Sequence, residues 1–235
     1  MLPHEVPGLA TLHARDVTHE LLDGERLDPA DLRINLREMA MLNRLPGGTA
    51  DSVRETLRLL DGSNDPAVLD VGTGSGDFAR RLRGRRREAH ITAIDLRAEV
   101  LEIAARNLRD TNDVTLLQAD ARSLPFDDGA VDVAHASLFL HHFDPADAVA
   151  ALREMRRVAR RGVVINDLRR GRVAFAISAL TVLALSRGRY TRHDGVLSAR
   201  RAYTLPELDD LAAEAGLHLA TRTLPILPRV TSVYT

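Results

Sequence analysis

Val68-Leu69-Asp70-Val71-Gly72-Thr73-Gly74-Ser75-Gly76-Asp77 reads as a short aliphatic strand that runs straight into a glycine-rich turn and then a helix. Glycines serve where a backbone must turn at positive φ or let a ligand come close to it. In open α/β sheets, ligands bind at the carboxyl ends of the strands. The stretch therefore predicts both an α/β fold and the place of its binding site.

Outward from this turn, short aliphatic runs alternate with amphipathic stretches, the sequence form of a βαβ sheet. Strands are expected at 67–71, 90–95, 114–118, 131–136 and 162–167, with helices near 77–83, 97–109 and 145–160. Thr204-Leu-Pro-Glu207 has the form of a capping box and opens a further helix through Ala215, ended by Gly216. Two final strands follow at 217–223 and 229–234. Upstream of the turn-rich Asp61-Gly-Ser-Asn-Asp-Pro66, helices are expected at 17–22, 29–45 and 51–60, with Leu32, Leu36, Met39 and Leu42 at helical spacing. The expected architecture is α/β, a doubly wound and mostly parallel seven-stranded sheet. Residues 1–60 would form an N-terminal helical cap, and residues 61–235 a cofactor-binding domain with a helical insertion after strand five at about 168–203.

A glycine-rich turn alone suits a dinucleotide as well as other nucleoside cofactors. Asp70 lies two residues before the first glycine, where an acceptor can take hydrogen bonds from an ammonium group. A dinucleotide has little use for that group. An amino-acid-bearing cofactor such as S-adenosylmethionine needs anchors for an ammonium and a carboxylate, the second well served by backbone N–H groups at a helix start. Thr73 lies in the same turn. Asp95 ends the second strand, with Leu96 beside it; its carboxylate either accepts both hydroxyls of a ribose or caps the next helix. In Gln118-Ala-Asp-Ala-Arg122, Asp120 is placed to accept the exocyclic amine of adenine while the Ala121 N–H meets a ring nitrogen. Three acidic residues after three successive strands would line one crevice.

These stretches, with Arg122-Ser-Leu-Pro-Phe-Asp-Asp-Gly-Ala-Val-Asp-Val-Ala-His-Ala-Ser-Leu-Phe-Leu-His-His-Phe143, resemble class I S-adenosylmethionine-dependent methyltransferases, especially the ubiquinone and menaquinone C-methyltransferase-like group. The resemblance covers about Ala67 to Asp167 and implies a Rossmann-like methyltransferase fold. It also implies that Asp70, Gly72, Gly74 and Gly76 surround the methionine moiety, that Asp95 holds the ribose, that Asp120 and Ala121 meet adenine, and that Ser137 lies near the sulfonium. The chain departs from the group at Arg160-Arg-Gly162, where relatives carry Pro-Gly-Gly. Asn35-Leu-Arg-Glu38 and Leu42-Asn-Arg-Leu-Pro-Gly-Gly48 look like a subfamily of actinobacterial small-molecule methyltransferases.

The loop after strand four is expected to form the acceptor pocket, which makes Ser137, Phe139, His141, His142 and Phe143 candidates. A His accepts a proton near neutrality, so His141 and His142 are the catalytic candidates, with a helix-capping or packing role open beside that one. The aliphatic Val173–Leu185 is either a lid or a core helix, and His193, Asp194, Arg200 and Tyr203 are polar candidates for the same pocket. Arg33, Arg37 and Arg44 fall on or after an N-terminal helix. Arg44 is the choice to pair with the cofactor carboxylate, a solvent-facing helix end being the alternative. No metal site is expected, because adjacent helical residues such as His141 and His142 point apart.

Composition narrows the function classes. A formal net charge of -1 and 3% aromatic residues disfavour a nucleic-acid partner. All 32 basic residues are Arg, and the run Arg80 to Arg87 reads as a solvated helix end. The chain has no Cys, which removes disulfides and thiolate chemistry. The apolar window 173–185 is shorter than the roughly 20 residues that span a bilayer, and the first residues lack the pattern of a secretory signal. A cytoplasmic monomer or homodimer is the expectation. The activity expected is methyl transfer from S-adenosylmethionine to a small apolar acceptor, phenolic or polyketide-like, with oxygen favoured over carbon. The rivals are a nicotinamide-dependent oxidoreductase, which would need a catalytic Tyr or Lys in a chain without Lys, and a non-catalytic cofactor-binding protein.

Overall fold

The computed structural model describes residues 14–24, 26–225 and 228–235. Ala67–Val71 (β1), His90–Asp95 (β2), Val114–Gln118 (β3), Val131–Ser137 (β4), Ala159–Leu168 (β5), Leu219–Thr223 (β6) and Arg229–Tyr234 (β7) form one sheet in the order β3-β2-β1-β4-β5-β7-β6. Strands β1 to β5 pair in parallel, while β7 runs antiparallel to both β5 and β6. Because β1 has β2 on one side and β4 on the other, the winding reverses at β1 and opens a crevice at its carboxyl end.

Strands covered on both faces read as continuous apolar runs, and this sheet is covered on both. Leu69, Val71, Ala134, Ala136, Val163 and Ile165 pack against Pro145–Val158 (α5) and Leu205–Glu214 (α8). Val68, Ile91, Val133, Val164 and Val233 pack against Thr49–Leu59 (α2), Asp77–Arg83 (α3) and Ala98–Leu108 (α4). Gly76 starts α3 at φ 76°, and a Cβ there would lie 2.7 Å from Leu108 Cδ1. A left-handed backbone costs a non-glycine residue about 1 kcal/mol, and overpacking adds about 1 to 3 kcal/mol. Gly76→Ala is therefore expected to lower the stability measured by urea unfolding by about 2 to 4 kcal/mol, whereas Gly62→Ala, whose Cβ would meet nothing within 4 Å, carries only the backbone cost.

The helix α2 was assigned to the cap from sequence, yet it packs on the sheet against β4 and β5. The cap proper joins distant parts of the chain: Pro29–Leu42 (α1), a 3-10 turn at Leu21–Asp23, and the insertion helices Arg172–Leu185 (α6) and Arg189–Arg201 (α7). The helix expected at 17–22 does not form. Asp16 Oδ1 instead accepts the Thr18 N–H at 2.9 Å, and the Asp194 carboxylate takes the N–H groups of Leu21 and Leu22 at 2.9 and 3.0 Å, so the backbone donors find partners outside a helix. α1 ends at Leu42, short of the expected residue 45, because Pro46 disfavours helical backbone just before it. α5 ends at Val158, and β5 begins at Ala159, three residues early. α7 was not anticipated as a separate helix.

Candidate active site

A cavity of about 450 Å³ opens where β1 and β4 part, in the size range of small-molecule sites. Its floor is the turn after β1. Gly72 (φ 66°) and Gly74 (φ 54°) hold that turn, Gly74 facing open space but for Leu36, and Thr73 Oγ1 donates to Asp70 Oδ2 at 2.7 Å. Asp70, Gly72, Thr73, Gly74, Asp95, Leu96, Asp120, Ala121, Ser137, Phe139, His141 and His142 all line the cavity. Gly76 lies behind it and serves packing against Leu108.

Asp70 differs from its expected part as a free acceptor. Its Oδ1 is 2.8 Å from His135 Nδ1, and its Oδ2 holds Thr73, so both oxygens already brace the turn. His135 is fully buried in β4, opposite Asp70 in the register, and its ring stacks on Phe78 at 3.6 Å. Asp95 accepts the N–H groups of Gly74 at 3.3 Å and Arg97 at 3.1 Å. Burial raises its carboxyl above the ordinary range, against the pull of those donors. Asp120 is held by Arg122 through a contact at 2.7 Å, and this hydrogen bonding keeps its pKa low.

At the opposite end lies a polar knot. His141 Nδ1 is 2.6 Å from Asp167 Oδ1, and both residues are buried. Burial opposes the charged form of Asp167, yet the neighbouring His141 holds its pKa below the ordinary value. His142 Nδ1 is 3.3 Å from Asp23 and 3.6 Å from Glu20; burial works against its charged form, but these carboxylates outweigh that and raise its pKa. Adjacent residues were expected to point apart. They sit in the 3-10 turn Leu140–His142, and the two rings lie 4.4 Å apart, with Glu20 completing a group whose ligand atoms all fall within 4.8 Å.

Besides Gly76, the sequence candidates Arg33, Arg37, Arg44, His193, Arg200 and Tyr203 do not line the cavity. Arg44 is exposed. His193 is exposed and bonded to Asp194, Arg200 lies over Phe175, and Tyr203 donates to the Phe143 carbonyl at 2.9 Å. Arg229 does line it. Its guanidinium is buried and bonded to three neutral acceptors, Asn166 Oδ1 at 2.8 Å, Asn43 Oδ1 at 2.5 Å and Ser137 Oγ at 2.8 Å, and burial pushes its pKa down to about 10. Asp167, Glu20, His135 and Arg229 were missed. His135 had one signal, a polar residue inside a mostly apolar strand; Arg229, at the start of β7, and Glu20 had none, since only the fold brings them to the turn after β4.

Residues 68–162 match the family model described as a methyltransferase domain, over the strands and turns that build this cavity. Over this segment the chain is similar to S-adenosylmethionine-dependent methyltransferases. A demethylmenaquinone methyltransferase of Thermotoga maritima is 33% identical over 123 residues, 52% of each chain. The chain spans about half the length of the first curated relatives it matches. Among solved structures, a SAM-dependent methyltransferase from Aquifex aeolicus superposes with a TM-score of 0.60 at 17% identity, covering 89% of this chain and 98% of its own. The mitomycin 7-O-methyltransferase MmcR superposes at 0.60 and 18% identity, covering 78% of this chain and 52% of its own.

The donor set fits the cofactor of that family. Asp95 offers acceptors to a diol, Gly72, Thr73 and Gly74 of the glycine turn line the cavity, and Arg229 is a buried cation with no carboxylate partner among the described residues. Asp95→Ala is expected to weaken S-adenosylmethionine binding by about 1 to 3 kcal/mol, the scale for leaving ligand hydroxyls without a charged acceptor. Calorimetry checks it, and unchanged affinity would remove Asp95 from the ribose site.

Proposed function

We propose that this chain transfers the methyl group of S-adenosylmethionine to a hydroxyl of a small, apolar, phenolic or polyketide-like acceptor. The cofactor supplies an already activated methyl, so what the protein must add is orientation, exclusion of water and the removal of one proton.

The residues present suit those tasks. Leu32, Leu36, Leu138, Phe139, Phe143 and Val182 give the cavity apolar walls. The observation that carries the reading is the buried His141–Asp167 pair, of which His141 lines the cavity. With Nδ1–H donated to Asp167, the imidazole keeps its lone pair on Nε2 and is held in one orientation, which is what a general base requires. Asp167 stabilises the imidazolium once the proton arrives. Carbon methylation is a second reading, supported by the similarity to demethylmenaquinone methyltransferase.

The test is incubation with methyl-labelled S-adenosylmethionine and a panel of apolar phenols, followed by mass spectrometry of whatever gains label. Label on oxygen is the expected result. Label on carbon alone would favour the second reading, and labelling of none would contradict both.

A further inference from the structure

We propose that the outer face of α6, with the arginines at its ends, docks this protein onto an anionic membrane surface. Between Asp167 and Asp194 the chain has no acidic residue and six arginines, although the whole chain carries a net charge of -1. Of these, Arg172 flanks α6 at its start, and Arg187, Arg189 and Arg192 follow its end, all exposed.

Between those flanks, α6 is apolar nearly all round. One face meets the cavity through Ser178, Thr181 and Val182. The opposite face leaves Val173 at 73% and Leu180 at 72% exposed, with Leu183 at 47%, spaced so that they share one stripe. Ile34, 44% exposed, extends this surface beyond the helix end, since its Cγ2 lies 2.7 Å from where a Cβ of Gly188 would stand. At 14 residues α6 is too short to span a bilayer, and no helix among the described residues is long and apolar enough to do so. An apolar stripe bordered by arginines is the pattern of a helix that lies in the plane of the interface. Charge decides the occupant: a second copy would set this arginine cluster against its own like, whereas acidic headgroups complement it.

The placement also deepens the proposed function, on which this last point rests. The helix that bounds the cavity on one face would meet lipid on the other, so an apolar acceptor could pass from bilayer to site without crossing water.

The experiment is co-sedimentation of the full chain with phosphatidylcholine vesicles, with and without phosphatidylglycerol. No cofactor or acceptor is added, so the result is independent of methyl transfer. Binding is expected only with phosphatidylglycerol and should weaken as salt is raised. Arg187→Glu with Arg189→Glu should lower it at least tenfold, given about fivefold for each basic residue near the surface. Leu180→Gln with Leu183→Gln should lower it too, while S-adenosylmethionine binding stays intact as the folding control. No partition to anionic vesicles, or binding that ignores both double substitutions, would overturn the proposal. So would a dimer by light scattering that Leu180→Gln dissociates in a protein that ignores vesicles.

Discussion

His141→Gln is expected to lower turnover by about 10²- to 10⁴-fold, the range that a positioned general base contributes. Its affinity for S-adenosylmethionine should not change, since His141 lies at the polar end of the cavity and pairs with Asp167 rather than with the glycine turn. The deficit should shrink as pH rises toward the acceptor's own ionisation, near pH 10 for a simple phenol, because an acceptor that is already a phenolate needs no base. Steady-state rates across a pH series check this. A constant deficit at all pH values would mean that His141 only shapes the pocket, and an unchanged rate would mean that the transfer needs no base there.

Arg229→Gln is the second large effect. A buried guanidinium with only neutral partners in β7 and around it, and nearest Asn43, Asn166 and Ser137, is placed to take the carboxylate of the cofactor's amino-acid tail. Removing one member of a buried charge pair costs about 2 to 5 kcal/mol. S-adenosylhomocysteine, which has that carboxylate, should lose affinity accordingly. 5′-Methylthioadenosine, which lacks it, should bind as to the unsubstituted protein, and so reports that the fold survives. Equal losses for both ligands would show that Arg229 supports the cavity without touching the tail.

The centre of the sheet was legible because β1, β2 and β4 are largely aliphatic runs bounded by turns. The ends of β1, β2, β3 and β7 fall where the sequence places them. The gathering of three carboxylates was legible for a related reason: Asp70 lies one residue before the end of β1, Asp95 ends β2 and Asp120 follows β3, and a doubly wound sheet brings strand ends to one edge. The acceptor end was not. Glu20 and Asp23 reach His142 only because Asp194, from α7, pins the Leu21 turn, and Arg229 reaches Ser137 only across β5. Those contacts join residues far apart in sequence, and periodicity carries no record of them. Arg44, His193 and Arg200 failed for the converse reason. Their position on a helix end or in a polar run says nothing about which way the cap turns them.

The central claim is that one cavity holds the cofactor at the glycine turn and directs its reactive sulfur toward His141. A crystal structure with S-adenosylhomocysteine tests it most directly. The account predicts the ribose on Asp95, the adenine beside Asp120 and Ala121, the carboxylate on Arg229, and the sulfur facing open space bounded by Ser137, Phe139 and His141. A ligand whose sulfur faces away from His141, with the space beneath α6 unconnected to it, would contradict the account.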